Sequence, residues 1–451
     1  MTALSSYGLM VVVGRQTTRL IGIIDQHARD QHTTLHLVGG VVRDLLLNRR
    51  TRDVDFMLES PRLDGAIQFA FSLQARFGGQ VQTHPPFGTA KWILDSQAAE
   101  TLELSPDDLP EPIDFAVARG ERYEYPTALP TTYPADLNTD LARRDFTINT
   151  LALRLIDDDV YELIDLHNGV QDLRAGLLRV LHDVSFIDDP TRMLRGARFE
   201  HRFGFTFEPH TLTLLTQALP MLTRITGERV RSELALLLLE SQPESALLMQ
   251  DARGVLAAIH PGLQFSQHAA SVFARARLLH PSMFPTWVTS PPALSDLYWL
   301  VWMALLPPDA VSAIGERLLF AKIFIQSMTD AARLTHSVSA WKSAASPSRI
   351  TYTLENLLSD PFRDAPLLAA WLSIEDGDAR ATLEQFASVW RHVKTSTTGE
   401  TLTQMGLKPG KCYGVILSRL RAARIDGDVS ADDERQLLNV LIEQGICRDH
   451  A

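Results

Sequence analysis

The sequence predicts an α/β head followed by an all-α remainder, and three observations predict it. Short apolar runs cut by Gly and Pro turns alternate with helical periodicity as far as Ile164-Asp165. Beyond about Leu166 long helical patterns dominate, with Pro281, Pro285, Pro291, Pro292, Pro307 and Pro308 marking breaks between helices. The 451 residues exceed what one hydrophobic core usually supports, so several domains are expected.

In chain order, Leu9 to Val13 is an apolar run with no basic residues before it. It is too short for a signal-peptide core, and no later run approaches membrane length. Thr17 to Arg29 is helical, with Leu20, Ile21, Ile23 and Ile24 as its buried face. Leu35-His36-Leu37-Val38 is a strand broken by Gly39-Gly40. A helix runs on through Leu47, and the next strand holds Val54 and Phe56. Ser96 to Pro112 is acidic, carries three prolines and has no apolar period, so it reads as a surface loop. Ile113 to Ala118 alternates as a strand does, and Tyr123 to Pro134 is an irregular Pro-rich loop. Arg143 to Leu155 reads as a helix leading into a strand that ends near Ile164-Asp165. No internal repeat or low-complexity tract appears.

Composition narrows the function classes. Apolar residues at 45% and charged residues at 22% make an ordinary globular mixture. The net charge of −11 means that any nucleic-acid contact needs a local concentration of Lys and Arg. Cys412 and Cys447 fit neither a disulfide framework nor a zinc cluster, so a reduced, cytoplasmic protein is expected, with no membrane partner.

Three constellations carry chemistry. In the first, Gly39-Gly40-Val41-Val42-Arg43-Asp44 joins strand to helix. Glycine lets backbone approach a ligand, the helix start offers N–H groups to phosphate, and Arg43 lies one turn in. Asp53-Val54-Asp55 follows on a strand, where alternation puts both carboxylates on one face. Such a pair suits Mg²⁺ with substrate phosphates. Asp114, on a later strand, either completes a metal triad or is a solvent-facing acid. In the second, Arg143-Arg144-Asp145-Phe146-Thr147-Ile148-Asn149 offers anion contacts and ribose hydrogen bonds, with Asp145 free to hold one arginine. In the third, Asp188-Asp189-Pro190-Thr191-Arg192 starts a helix with Asp-Pro as cap and first residue. Arg192, Arg195, Arg198 and Arg202 then share a sector of roughly 120° opposite Met193, Leu194 and Ala197. Four clustered cations call for an anion, a triphosphate or an RNA backbone, or else for acids such as Asp183, Asp188 and Glu200.

The Gly-Gly turn followed by Asp-x-Asp resembles the polymerase-β-like nucleotidyltransferases. The longer string Leu37 to Asp44 with Asp53-Val54-Asp55 resembles the class II tRNA CCA-adding and bacterial poly(A) polymerase family, as does Arg143 to Asn149. The resemblance covers about Leu35 to Leu234 strongly and Leu402 to Val429 moderately. It implies a mixed-sheet head over 1–165, a helical neck over 166–264 and a helical body and tail over 265–451. It implies that Asp53 and Asp55 are catalytic. It also implies that Gly39, Gly40, Arg43, Arg143, Arg144, Asn149, Asp189, Arg192, Arg195 and Arg198 surround the nucleotide. In the family, Glu-Asp-x-x-Arg reads the base of incoming CTP or ATP. The matching residues here are Asp188, Asp189 and Arg192, with Asp in place of the first Glu. Gly227 to Leu234 resembles a helix start of structural role. Met405 to Gly410, with Lys408, Arg419, Arg421 and Arg424 and then Asp426-Gly427-Asp428-Val429, resembles the tail that holds tRNA.

The resemblance therefore implies Mg²⁺-dependent addition of CCA, or of the terminal A alone, to the tRNA 3′ end from CTP and ATP. In the second case a separate CC-adding enzyme is a partner. The segment between Asp114 and Arg143 corresponds to the family's loop for the switch from C to A. Its Tyr123-Glu124-Tyr125-Pro126-Thr127-Ala128-Leu129-Pro130 is not basic, and its presence favours an A-adding or complete enzyme over a CC-only one. The nearest rival is a poly(A) polymerase, which often carries a basic C-terminal extension where this chain ends in a mixed sequence. A non-catalytic RNA-binding relative and a small-molecule nucleotidyltransferase are rivals of other kinds. His182-Asp183 lacks the further ligands a phosphohydrolase needs and reads as incidental.

Overall fold

The computed structural model describes residues 2–105, 110–122, 124, 127, 130–157, 160–280, 283–444 and 446. It divides into two compact units, Met1–Ile225 and Thr226–Ala451.

The first unit begins β1 (Thr2–Ser5), α1 (Ser6–Val13), α2 (Arg15–Asp30), β2 (Leu35–Val38), α3 (Gly40–Leu46) and β3 (Asp55–Leu58). It continues α4 (Gly65–Phe77), β4 (Gln80–His84), β5 (Thr89–Ile93), α5 (Ser96–Thr101), β6 (Ile113–Val117), β7 (Arg119–Arg122) and β8 (Thr131–Pro134). Then come α6 (Leu137–Ala142), β9 (Ala152–Asp157), β10 (Val160–Ile164), α7 (Gly169–Ala175), β11 (Leu177–Leu178), α8 (Ser185–Asp188), α9 (Thr191–Phe203), β12 (Thr206–Phe207) and α10 (Pro209–Ala218). Eight strands form a sheet in the order β1-β10-β9-β2-β3-β6-β5-β4. It is mixed: β3 and β6 run parallel, and the other described pairs run antiparallel.

Aromatic packing fixes the two parallel strands. Phe56 of β3 stacks on Phe115 of β6 with centroids 5.5 Å apart, and Phe69 of α4 meets Phe115 edge-on at 5.4 Å. Such pairs contribute about 0.5–1.5 kcal/mol each beyond area burial. Helix α2 packs through Leu20, Ile21, Ile24 and Ala28, all buried. Ile23 falls at the edge of that stripe and stays partly exposed, against expectation.

Two segments expected to be loops carry regular structure. Within Ser96 to Pro112, α5 forms because Asp95 Oδ1 caps it by accepting the Ala98 N–H at 2.9 Å, and because Ala98, Ala99 and Leu102 are buried. Small residues hid that apolar face. Within Tyr123 to Pro134, Thr131–Pro134 is strand β8, pairing antiparallel with β7 to make a separate ribbon. Of the expected nucleotide-switch loop, Tyr123, Tyr125, Pro126, Ala128 and Leu129 lie outside the described residues. Arg143 to Leu155 also differs: the helix is α6, which precedes it, and the strand is a hairpin of two, β9 and β10.

The second unit is helical. Its helix Leu294–Ala304 is buried all round from Leu297 onward, which marks that part as core. Phe265 meets Trp302 edge-on at 5.5 Å and Tyr298 stacks on Phe273 at 4.4 Å. Gly227 opens the helix Gly227–Leu238, where Thr226 Oγ1 caps the Arg229 N–H. The proline-rich stretch falls between the helices Gln267–Leu278 and Leu294–Ala304 as expected, with Pro281 outside the described residues. Near the C-terminus Leu402, Cys412, Ile416, Leu420, Leu438 and Leu441 form a small core. Cys412 is disulfide-bonded, which corrects the expectation of two reduced thiols; Cys447 lies outside the described residues. Among the described residues no helix is long and apolar enough to cross a membrane.

Candidate active site

Leu37 of β2 pairs with Phe56 of β3, so the turn that follows β2 lies at the end of the sheet where β3 begins. Gly39 makes that turn with φ 70 and ψ −124, a conformation only glycine adopts without strain. A Cβ there would also stand 2.9 Å from the Arg144 guanidinium. Gly40 begins α3, which is anchored by the fully buried Val41 and Val42.

Asp53 is exposed just before β3, and Asp55 is the first residue of β3. Asp114 pairs in register with Asp55 across the parallel β3–β6 ladder. Burial, then the charges of Asp114 and Asp53, push the Asp55 carboxyl up to about 6, while Arg144 and Lys91 oppose the rise. Among the described residues no three His, Cys, Asp or Glu side chains converge as a metal-holding set. Lys91 of β5 takes Asp114 at 2.9 Å, so the expected three-carboxylate arrangement is not assembled.

The arginines of the second constellation are held by a residue that sequence reasoning missed. Asp140 on α6 is buried, and each of its oxygens binds one arginine: Oδ1 accepts from Arg143 Nη2 at 2.5 Å, Oδ2 from Arg144 Nη2 at 3.0 Å. Burial would raise the Asp140 carboxyl, but Arg144 and Arg143 hold it below its ordinary value. Arg143 also donates to Glu121 Oε1 and to the Arg119 carbonyl, both on β7. The helical spacing of Asp140 to Arg143 and Arg144 was legible in the sequence. Lys91 was not, because it reaches Asp114 through strand pairing alone.

The expectation that Arg43 reaches out to an anion is corrected. Its guanidinium is buried, donates to Asn149 Oδ1 at 2.8 Å and Asp44 Oδ1 at 2.9 Å, and lies 4.5 Å over Phe203. Asn149 Nδ2 in turn donates to Asp145 Oδ1 at 2.9 Å, and Asp145 Oδ2 accepts from Arg195 Nη2 at 2.8 Å. Asp145 therefore holds Arg195 rather than Arg143 or Arg144. Burial would raise its carboxyl, yet Arg195 and Asn149 keep it below the usual range.

The third constellation is also less open than the helical wheel implied. Arg192 is buried, donating to Ser185 Oγ at 2.5 Å and to the Arg143 carbonyl at 2.7 Å. Glu200 is buried on the same helix, and Arg195 and Arg198 are half-buried around Phe199. Two of the four arginines, Arg192 and Arg195, are thus held by protein groups, while Arg202 at the end of the helix is exposed. The helix begins at Thr191 with Pro190 at the cap, one residue later than expected, and Asp189 Oδ1 accepts the Thr191 N–H at 3.1 Å and its hydroxyl at 2.6 Å. Burial raises the Asp188 carboxyl beside it, opposed by His182 and Arg192. His182 takes no metal-like set with it; Asp183 pairs with His210 at 3.0 Å.

In the second unit, Lys408 and Arg419 are exposed. Arg421 folds inward onto Glu355 at 2.6 Å and the Val393 carbonyl, and Arg424 binds Glu434 at 3.0 Å. These two expected RNA contacts are structural ion pairs, claimed by the half-buried Glu355 and the buried Glu434. Asp426 caps a neighbouring helix by accepting the Ser348 N–H at 2.7 Å.

Comparison with known proteins adds to this geometry. Residues 35–179 match a family described as the Poly A polymerase head domain, and residues 204–266 one described as a probable RNA and SrmB-binding site of polymerase A. An A-adding tRNA nucleotidyltransferase of Halalkalibacterium halodurans is 31% identical over 91% of this chain and 89% of its own length. One of Geobacter sulfurreducens is also 31% identical, over 94% of this chain, but the chain spans only 47% of that relative. A solved apo structure of a CCA-adding enzyme is 26% identical and superposes with a TM-score of 0.74, covering 98% of this chain and all of the other.

Proposed function

We propose that this chain, which belongs to the tRNA nucleotidyltransferase family, adds nucleotides to the 3′ end of tRNA from nucleoside triphosphates, releasing pyrophosphate, and that its product is the terminal adenosine. One observation carries the reaction: Asp53 and Asp55 stand at the strand end beside the Gly39 turn, with Asp55 raised by burial and neighbouring carboxylates. The choice of adenosine rests on the two A-adding relatives, one of them matched along nearly its whole length.

The Asp53–Asp55 pair at one strand end suits a divalent cation, and Asp55 is raised first by burial and then by the charges of Asp114 and Asp53. Asp53 and Asp55 would hold Mg²⁺, and Asp114 would join once released from Lys91. When bound, the ion activates the tRNA 3′-hydroxyl and stabilises the departing pyrophosphate. The chain's own residues supply positioning, which carries most of phosphoryl transfer. The Gly39-Gly40 backbone and Arg144 face the triphosphate. Asp140 fixes Arg143 and Arg144, and the Arg43–Asn149–Asp145–Arg195 chain keeps the surrounding wall rigid. Asp189 and Arg192 read the base, with Arg192 aimed by Ser185 and the Arg143 carbonyl. The head spans 1–165, the neck 166–264 and the body and tail 265–451, with Lys408 and Arg419 on the RNA.

The test uses three tRNA transcripts, ending before CCA, after C and after CC, each with Mg²⁺ and CTP, ATP or both. Extension of only the CC-ended transcript, by one A, is expected, and implies a separate enzyme that supplies CC. Completion of CCA on all three would make the chain a complete CCA enzyme. Long A tails would favour the poly(A) reading, and no addition to any transcript would overturn tRNA as the substrate.

A further inference from the structure

A cavity that the roles above leave unused lies beside the segments that lead into β3 and β6. The α1–α2 junction, residues Arg50 to Arg52 and Glu111 line a space of about 710 Å3. Its two main walls are tied together, since the Thr51 N–H donates to the Val12 carbonyl at 3.2 Å. Arg52 directly precedes Asp53, and Glu111 lies two residues before β6, the strand of Asp114. The cavity therefore sits at the entrance of both carboxylate-bearing strands.

Its charge is the reverse of the molecule's. Among the described residues Arg15, Arg50 and Arg52 line it against one carboxylate, Glu111, in a chain of net charge −11. Glu111 stands 3.6 Å from Arg52, an exposed pair that water screens. Among the described residues the exposed side chains of Arg15 and Arg50 have no hydrogen-bond or ion-pair partner. That contrasts with Arg43, Arg143, Arg144, Arg192, Arg195, Arg421 and Arg424, all of which are held by protein groups. Glycine at position 14, with φ 86, adds no side chain to fill the space or to cap α2.

We propose that this cavity is a phosphate site for the RNA acceptor, in which Arg15, Arg50 and Arg52 grip the phosphodiester backbone close to the reacting 3′ end. This rests on the tRNA reading above. The triphosphate is accounted for at the Gly39 turn, where Arg144 stands, so the phosphates left to neutralise beside the carboxylates are those of the RNA. Arginine suits that task through its planar fork of donors. The three are positioning residues: they aim the acceptor strand and do not touch the reacting atoms.

The experiment measures binding of a CC-ended tRNA transcript to the full chain across a salt series, for the native protein and for the double variant Arg15→Gln, Arg50→Gln. The salt slope should fall by about one for each cation removed, and affinity at fixed salt on the order of tenfold. The KM for tRNA should rise while the KM for ATP stays put, and the Lys pair at the same positions should restore most of the slope. Thermal melting checks that the exposed substitutions leave the fold intact. An unchanged slope and affinity would overturn the site, and so would a rise in the KM for ATP with tRNA binding untouched. If the native chain binds tRNA with the expected slope but transfers no nucleotide, the function falls and the phosphate site stands. If it binds no tRNA, both fall.

Discussion

At the scale of single residues the proposed chemistry concentrates on Asp53 and Asp55. Replacing either with Ala should lower nucleotide addition to background while circular dichroism and melting stay near native; near-normal turnover would remove both from the mechanism. The raised Asp55 carboxyl gives a pH prediction with a definite sign. Below about 6 it is protonated in the metal-free protein, so a cation must displace a proton. Apparent Mg²⁺ or Mn²⁺ affinity should therefore rise as pH climbs through 6, and Asp55→Asn should flatten that dependence in a metal titration. Without metal, the unfolded chain loses this proton near the ordinary 3.8, so stability falls between there and 6 as pH rises. The paired acids act oppositely. Asp140 and Asp145 are held below their ordinary values, so their contribution is present above 3.8 and fades as acid protonates them. Much of this site was legible. The Asp-x-Asp spacing flagged both acids and the Gly-Gly pair marked a turn, but the strand begins only at Asp55, so Asp53 lies ahead of it rather than on its face. What was not legible were partners brought by tertiary structure: Lys91 for Asp114, Ser185 for Arg192, Asp145 for Arg195. A helical wheel gives a residue's direction, not what waits there.

At the scale of elements, two glycines decide how segments meet. Gly39→Ala would force an alanine to a φ near 70 and press its Cβ toward Arg144. A cost of about 1–3 kcal/mol is expected, together with a raised KM for ATP; unchanged stability and kinetics would show that the turn tolerates a side chain. Gly227 serves packing alone. A Cβ there would overlap the Arg317 carbonyl, and backbone yields less readily than side chains. Gly227→Ala should therefore lower the unfolding free energy by about 1–3 kcal/mol, seen as an earlier denaturant midpoint, with nucleotide KM values unmoved. The assignment of strands from short apolar runs succeeded for β2, β3 and β6. It failed for α5, whose buried face is built from alanines, and for β8, whose residues read as a loop. Small or polar residues carry little periodic signal, and such elements exist because neighbours cover them.

At the scale of the whole molecule, the proposed reaction gives an acidic protein an acidic substrate, which it must bind through a few local cations. Raising ionic strength from low to physiological should weaken tRNA binding steeply, and weaken ATP binding less, because fewer phosphates are involved. Equal salt slopes for the two ligands would mean that the tRNA contributes little beyond its terminal nucleotides. The change from a mixed-sheet half to a helical half was plain from composition and periodicity. Which arginines stay available was not, since ion pairing within each unit claims Arg421 and Arg424 as firmly as those around Asp140.

The parallel pairing of β3 with β6 has a consequence for how the protein is made. Asp55 and Asp114 are 59 positions apart in sequence yet neighbours in the sheet. While the chain leaves the ribosome, Asp55 is an ordinary solvated acid until β6 has followed it out and docked. That docking brings the Asp114 charge, which adds to burial in raising its carboxyl to about 6. An isotope-labelled Asp55 would serve as a clock for sheet closure, its titration midpoint marking the moment a floppy nascent chain acquires the place where chemistry can happen.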